Sequence, residues 1–325
     1  MKEHKLSLII ILSVLFCCNQ GENTALTHDV IDINSKADGL SIFAENIIST
    51  PLYERDMAIN PEGNEMIYTL GDYKQTARAL VILEKTDSKW REPKIMSISG
   101  KYQDIEPFYA NNGNRLFFAS NRPIYNDSSR TDYNIWYSDK IDNRWTEPLA
   151  LDSVINTEGD EFFPSLSEKG NLFFTATRGD GVGKEDIFMS EFKAGKFTSP
   201  IPLPIEINSE MYEFNAYISP QEDLIIFSSY GRSDDLGGGD LYFSIKDAAG
   251  NWSQSKNMGK LINSNRLDFC PFIDWENRNF YFTSERTYNS KETIKSVDGL
   301  KQKANSPLNG FGNIYRIGLD KLEIE

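Results

Sequence analysis

Imidazole is nearly absent from this chain of 325 residues: its two histidines, His4 and His28, both lie in the first 28 positions. Nothing later in the chain can supply the base of a Ser-His-Asp triad or a histidine ligand for zinc. Positive charge is also in deficit, with 34 Lys and Arg against 48 Asp and Glu and a net charge of −14. That balance opposes broad contact with a phosphate backbone, whose affinity comes from clustered cations displacing counterions, so no nucleic-acid partner is expected. Cysteine is down to Cys17, Cys18 and Cys270, too few for a disulfide framework. No apolar run reaches the roughly 20 residues that span a bilayer, and no long amphipathic helical stripe is present. Aromatic side chains, by contrast, are abundant, with 20 Phe, 15 Tyr and 5 Trp, and they favour strands. At 39% hydrophobic the chain can bury a sizeable core, as one large all-β domain or two smaller ones.

Residues 1–18 read MKEHKLSLIIILSVLFCC. Lys2 and Lys5 form a short positive segment, Leu6 to Phe16 an apolar run of signal-peptide length, and Asn19-Gln20-Gly21-Glu22-Asn23 a polar stretch directly after it. This resembles a bacterial lipoprotein signal, in which the cysteine after the lipobox is acylated and begins the mature chain. The resemblance implies lipidation at Cys18, although Cys17 stands where such signals usually carry Gly, Ala or Ser; an ordinary secretory signal is the alternative. With Cys18 acylated and Cys17 removed, Cys270 is left unpaired, and within Phe269-Cys270-Pro271-Phe272-Ile273 it reads as a small buried hydrophobe. Residues 19–39 read as a polar tether, and residues 40–325 as the folded domain.

Self-comparison finds five segments that align without a gap: ERDMAINPEG from Glu54, DIEPFYANNG from Asp104, EFFPSLSEKG from Glu161, EFNAYISPQE from Glu213 and DFCPFIDWEN from Asp268. Their starts lie 50, 57, 52 and 55 residues apart, the spacing of a four-stranded propeller blade. A first strand ends in a turn at Gly63-Asn64, Gly113-Asn114 or Gly170-Asn171, and a strongly apolar second strand follows, as in Leu116-Phe117-Phe118. Arg122, Arg178, Arg232 and Arg286 come near its end, then a third strand opened by Asn134-Ile135-Trp136 and its counterparts. The fourth is introduced by Trp90-Arg91-Glu92-Pro93 and its counterparts, and three units end in Ile-Asn-Thr/Ser at Asn156, Asn208 and Asn263.

These residues resemble the WD40-like repeat of the TolB-type bacterial β-propellers, over residues 54–325. The first unit departs most, with Thr69-Leu70-Gly71-Asp72 where the others have an arginine and with no Ile-Asn-Ser tail. The fifth supplies three strands before the chain ends, so its fourth must come from Leu40 to Ile48. The expected fold is therefore all-β: a five-bladed propeller of four-stranded antiparallel blades closed by an N-terminal strand, which hides the edges that an open sheet exposes.

Each aligned unit begins with an acid: Glu54, Asp104, Glu161, Glu213 and Asp268. An innermost first strand places these carboxylates as an acidic ring near one channel mouth, where repulsion raises pKa values or recruits a cation or basic partner. Ca²⁺, which prefers oxygen ligands, suits such a ring; the structural alternative is five clips, each capping backbone N–H groups or pairing with a neighbouring blade's arginine. Arg178 with Asp186 and Arg232 with Asp240 are expected as bidentate pairs fixing a loop. Leu236-Gly237-Gly238-Gly239-Asp240 precedes a strand and lacks the helix dipole of a phosphate cradle. Two insertions, Pro123 to Asp132 and Thr287 to Gly310, break the regularity, the second carrying Lys291, Lys295, Lys301 and Lys303.

Catalysis has little to draw on. The inward carboxylates recur by symmetry, and no unit carries a specialised acidic pair of the kind a glycoside hydrolase uses. The expected function is a non-catalytic, lipid-tethered outer-membrane propeller of the cell envelope, facing the periplasm or the surface, that binds an envelope protein or a peptidoglycan-associated partner, as the TolB-type resemblance implies. A paired-carboxylate glycoside hydrolase and a carbohydrate-binding propeller are the alternatives.

Overall fold

Apolar strands and tight turns give the same four-stranded antiparallel sheet five times in the computed structural model, which describes residues 27–28, 31–125, 127–287 and 293–324. The first strands are Tyr53–Ile59, Asp104–Ala110, Glu161–Leu166, Tyr212–Ile218 and Asp268–Asp274. Each pairs antiparallel with a second strand: Glu65–Gly71, Arg115–Ser120, Leu172–Ala176, Leu224–Tyr230 and Asn279–Ser284. The third strands, Arg78–Thr86, Asn134–Ile141, Asp186–Ser190, Asp240–Ile245 and Asn313–Gly318, continue each sheet. Short outer strands follow at Lys94–Ile95, Leu149–Ala150, Ile201–Pro202 and Lys256–Asn257. First strands of successive blades pack on one another, and that of blade 5 packs on that of blade 1, so the ring closes.

Blade 5 takes its fourth strand from the N-terminal side: Ser41 lies opposite Arg316 and Ile42 opposite Tyr315. The core lies between neighbouring sheets, as where Ile226 of blade 4 packs with Phe280, Phe282 and Tyr315 of blade 5. Burying these apolar faces is the main stabilising contribution. Outer strands of two residues leave little edge for another chain to pair with.

The Ile-Asn-Thr/Ser tails explain how each outer strand is returned to the centre. Buried Asn208 accepts from Ile187 N (3.0 Å) and donates to Ile187 O (3.0 Å) and Leu203 O (2.9 Å). Asn156 and Asn263 tie Ile135 and Leu241 in the same way. Ser99 and Ser49 hold the two remaining places: Leu80 N donates to Ser99 Oγ at 3.0 Å, and Ile314 N to Ser49 Oγ at 3.2 Å. Asn208→Ala strands three buried backbone groups and is expected to cost about 2 kcal/mol. A urea midpoint unmoved relative to that of the exposed control Asn265→Ala would contradict this role.

Gly237 is required by packing, since a Cβ there would lie 2.4 Å from the Asn265 carbonyl carbon. The insertion from Thr287 to Gly310 carries a helix, Val297–Ala304, N-capped by Ser296 and burying no side chain. Lys295, Lys301 and Lys303 lie on it or just before it; Lys291 falls outside the described residues. Among the described residues no helix is long and apolar enough to cross a membrane.

Candidate functional site

The five leading acids are fully buried; four engage both their own blade and the loop entering it, and Glu54 engages the entering loop. Glu213 accepts from Ser209 N (2.8 Å), Ser209 Oγ (2.7 Å) and Ser229 Oγ (3.0 Å), and pairs with Arg232 at 2.9 Å. Asp104 is held by Ser99, Ser120 and Arg122, and Asp268 by Ser264 N and Arg286. Glu161 takes Thr157 N and Oγ1, with Arg178 at 3.5 Å. Glu54 takes Thr50 N and Oγ1, but no arginine stands at its blade's equivalent place. Burial pushes Glu54 and Glu161 up to about 7.

The arginines therefore reach the first-strand acid of their own blade, not the acid that opens the third strand. Asp186 instead accepts from Val182 N (2.8 Å) and Gly183 N (3.0 Å), and Asp240 from Leu236 N (2.7 Å) and Asn257 Nδ2 (2.7 Å). The expected Arg178–Asp186 and Arg232–Asp240 pairs do not form: Arg178 and Arg232 fold back over the second strand to bond Ile155 O and Ile207 O beside the buried carboxylates.

Two residues beyond each leading acid, every first strand bulges. Its register shifts between Arg55 and Ala58, Ile105 and Phe108, Phe162 and Ser165, Phe214 and Tyr217, and Phe269 and Phe272. Asp56, Glu106, Phe163, Asn215 and Cys270 adopt positive φ there, between 49° and 62°, a conformation non-glycine residues seldom take. Bulges re-aim side chains, and these five, one per blade, meet at the axis. Arg55 Nε donates to Asp56 (2.8 and 2.7 Å), and an Arg55 Nη donates to Glu106 Oε1 (2.7 Å) and Cys270 Sγ (3.5 Å). Glu106 also accepts from Phe163 N at 2.7 Å and Asn215 Nδ2 at 3.2 Å. Burial pushes Glu106 up to about 7, with Arg55 pulling the other way. Cys270 is buried as expected, but within this polar plug. Below it, Asp56, Glu106, Phe108, Phe163, Tyr217 and Phe272 enclose only about 10 Å³, room for a single water.

Above the plug lies the mouth at which the first strands begin. Tyr53 donates its hydroxyl to Glu285, and Arg78 Nε donates to Gln103 Oε1 at 2.8 Å beneath Tyr133. Glu185, half-buried before the third strand of blade 3, is pushed up to about 7 by burial and by nearby carboxylates, including Glu106 and Asp160. Between blades 1 and 2 a cavity of about 730 Å³ opens, lined by Leu52, Asp72, Arg78, Ile95, Lys101 and Tyr102 among others. A second, of about 840 Å³, lies between blades 2 and 3 around Arg115, Tyr137, Phe192 and Phe197. Among the described residues no three acidic, histidine or cysteine side chains cluster closely enough to hold a metal ion. The axial plug escaped sequence comparison because its five positions carry five different residues; a shared offset from the leading acid was the one signal available.

No family model and no curated protein matches the chain. Among solved structures it is similar to one described as a glycoside hydrolase, at 11% identity over 87% of this chain and 91% of that chain, with a TM-score of 0.54. The catalytic domain of an alpha-L-arabinofuranosidase from Coprinopsis cinerea matches at 11% identity over 84% and 92%, with a TM-score of 0.48. A TolB from Agrobacterium tumefaciens matches at 12% identity over 83% and 91%, with a TM-score of 0.47. At such identities the likeness is one of fold.

Proposed function

We propose that this protein is a non-catalytic recognition propeller of the cell envelope, exported and held to the outer membrane by lipid at Cys18, which presents its channel mouth to an envelope protein or a peptidoglycan-associated partner. The observation that carries the reading is the internal engagement of the axial carboxylates. A paired-carboxylate hydrolase needs two carboxyl groups about 5–10 Å apart facing one bond, one of them ready to give a proton. Asp56 and Glu106 instead share a single guanidinium, and Glu106 also accepts from Asn215 and from the Phe163 N–H. The leading acids are likewise occupied by their blades and entering loops.

Glu185 favours a second reading, that of a carboxylate hydrolase. It lies at the mouth and is pushed up to about 7 by burial and nearby carboxylates, the range in which a general acid works near neutral pH. Capture from envelope extracts on the tagged protein separates the two readings. Retention of a defined envelope protein is the expected result. Retention of none, together with cleavage of a polysaccharide panel that is lost in Glu185→Gln, would establish the hydrolase instead.

Cys18 lies outside the described residues, so the anchor is tested chemically. Metabolic labelling with a palmitate analogue is expected to mark the wild type and not Cys18→Ser, which moves to the soluble fraction. Label persisting in Cys18→Ser would remove the anchor from the proposal.

A further inference from the structure

The cavity between blades 1 and 2 has a charge that the rest of the chain does not prepare for. Its lining holds Arg78, Lys101 and Arg130 against one carboxylate, Asp72, in a chain of net charge −14. Arg130 is committed to Asp132, with Nε to Oδ1 at 3.0 Å, and Asp72 to the N–H of Thr76 at 2.7 Å. Among the described residues Arg78 has only neutral partners: Gln103 Oε1, the Tyr133 hydroxyl, and the Tyr133 ring 5.2 Å from its guanidinium. Glu106 feels the Arg78 charge, but its own ion pair is with Arg55. Lys101, exposed, stands over Tyr102 at 5.1 Å. Two cations therefore face the cavity with no carboxylate of their own among the described residues, and the guanidinium is held by neutral bonds in a fixed orientation, the arrangement that suits a planar carboxylate.

The rest of the lining sets Leu52, Leu70 and Ile95 beside neutral polar groups such as Gln103 and Asn121 and one ring, that of Tyr102. Leu52 is 45% exposed and Ile95 57% exposed, and Ala79 also lines the cavity. Saccharides favour open aromatic faces; the lining's Tyr102 ring is stacked against Lys101 and Arg122, whereas exposed Leu52 and Ile95 suit aliphatic side chains. At about 730 Å³ the cavity is within the range of ligand sites. We infer that this cavity takes an acidic peptide segment of the partner, an Asp or Glu set beside aliphatic residues, with its carboxylate on Arg78 and Lys101. The inference rests on the recognition reading above and deepens it. A positive spot on an acidic surface supplies register and specificity, because the surrounding field repels acidic partners elsewhere.

The test is selection from a random displayed heptapeptide library on the immobilised full-length protein, beside beads carrying oligogalacturonate. Wild type is expected to enrich peptides with Asp or Glu flanked by Leu, Ile or Val, with retention falling as salt rises. Arg78→Gln is expected to weaken retention roughly tenfold, about 1.4 kcal/mol. Lys101→Gln, at an exposed position that folding does not need, keeps the test informative should Arg78→Gln misfold. A pool without acidic enrichment, enrichment that survives both substitutions, or retention on oligogalacturonate alone would each overturn the inference. If the envelope partner is still captured by both variants, the recognition reading stands and this site for it falls; if wild type captures no partner, the recognition reading fails whatever the library shows.

Discussion

Arg55→Met is expected to destabilise the fold by about 3–5 kcal/mol, the cost of leaving buried charges without their counter-ion. The side chain holds Asp56 at 2.7 Å and Glu106 at 2.7 Å, and lies 4.9 Å over the Phe269 ring. Asp56 is 2% exposed and Glu106 3% exposed, so water cannot replace the lost partner. Methionine keeps most of the aliphatic stem and isolates the charge effect. Because the plug joins all five blades, the loss should appear as one cooperative transition at lower urea with an unchanged slope. Adding Asp56→Asn and Glu106→Gln to Arg55→Met removes the stranded charges and is expected to recover much of the stability. If Arg55→Met shifts the midpoint no more than an exposed arginine does, or if the triple variant is weaker than the single one, the plug is not held by this ion triad.

The same plug shows what could be read from the chain and what could not. The blade count was legible because five units repeat the same residue types in phase, and the closing strand because unit five is one strand short. The leading acids were legible as a set for the same reason. Their partners were not: an arginine near the end of the second strand can point along the sheet or fold back over it, and only packing decides. Ser49 and Ser99 do an asparagine's work with a hydroxyl, so the Ile-Asn-Ser pattern hid two of its five occurrences. Asp56, Glu106, Phe163, Asn215 and Cys270 share nothing in sequence but an offset. Their role comes from a bulge that brings them together, and a bulge is a backbone event with no residue signature here. Arg78 was invisible for the opposite reason, since a single cation is informative only once the acids around it are known to be engaged elsewhere.

The second large effect is on the pH dependence of stability, and it runs against the usual acid-denaturation limb. Burial pushes Glu54, Glu161 and Glu185 up to about 7, from the 4.5 of a free glutamate. The folded chain therefore retains protons that the unfolded chain releases between about pH 4.5 and 7, and stability must fall as pH rises through that window. One such group contributes about 3 kcal/mol across it, and neighbouring groups add less than their sum. Below the window, Asp32, Asp132 and Glu222, held below their ordinary values by hydrogen bonds from Ser35, Arg130 and Ser167, lose their contributions as they protonate. The thermal midpoint is accordingly expected to peak near pH 5 and to decline towards pH 7.5. Glu54 isolates the cause, because its blade alone carries Asp72 where the other four carry an arginine, leaving its buried carboxylate with hydrogen bonds from Thr50 and no counter-ion among the described residues. Glu54→Gln keeps the shape and the accepting oxygen, and is expected to flatten the decline and raise the midpoint at pH 8 while changing little at pH 5. A wild-type midpoint that rises from pH 5 to 8, or a Glu54→Gln variant that keeps the full slope, would show that water or a cation reaches these carboxylates and that the blade entries are more open than their burial implies.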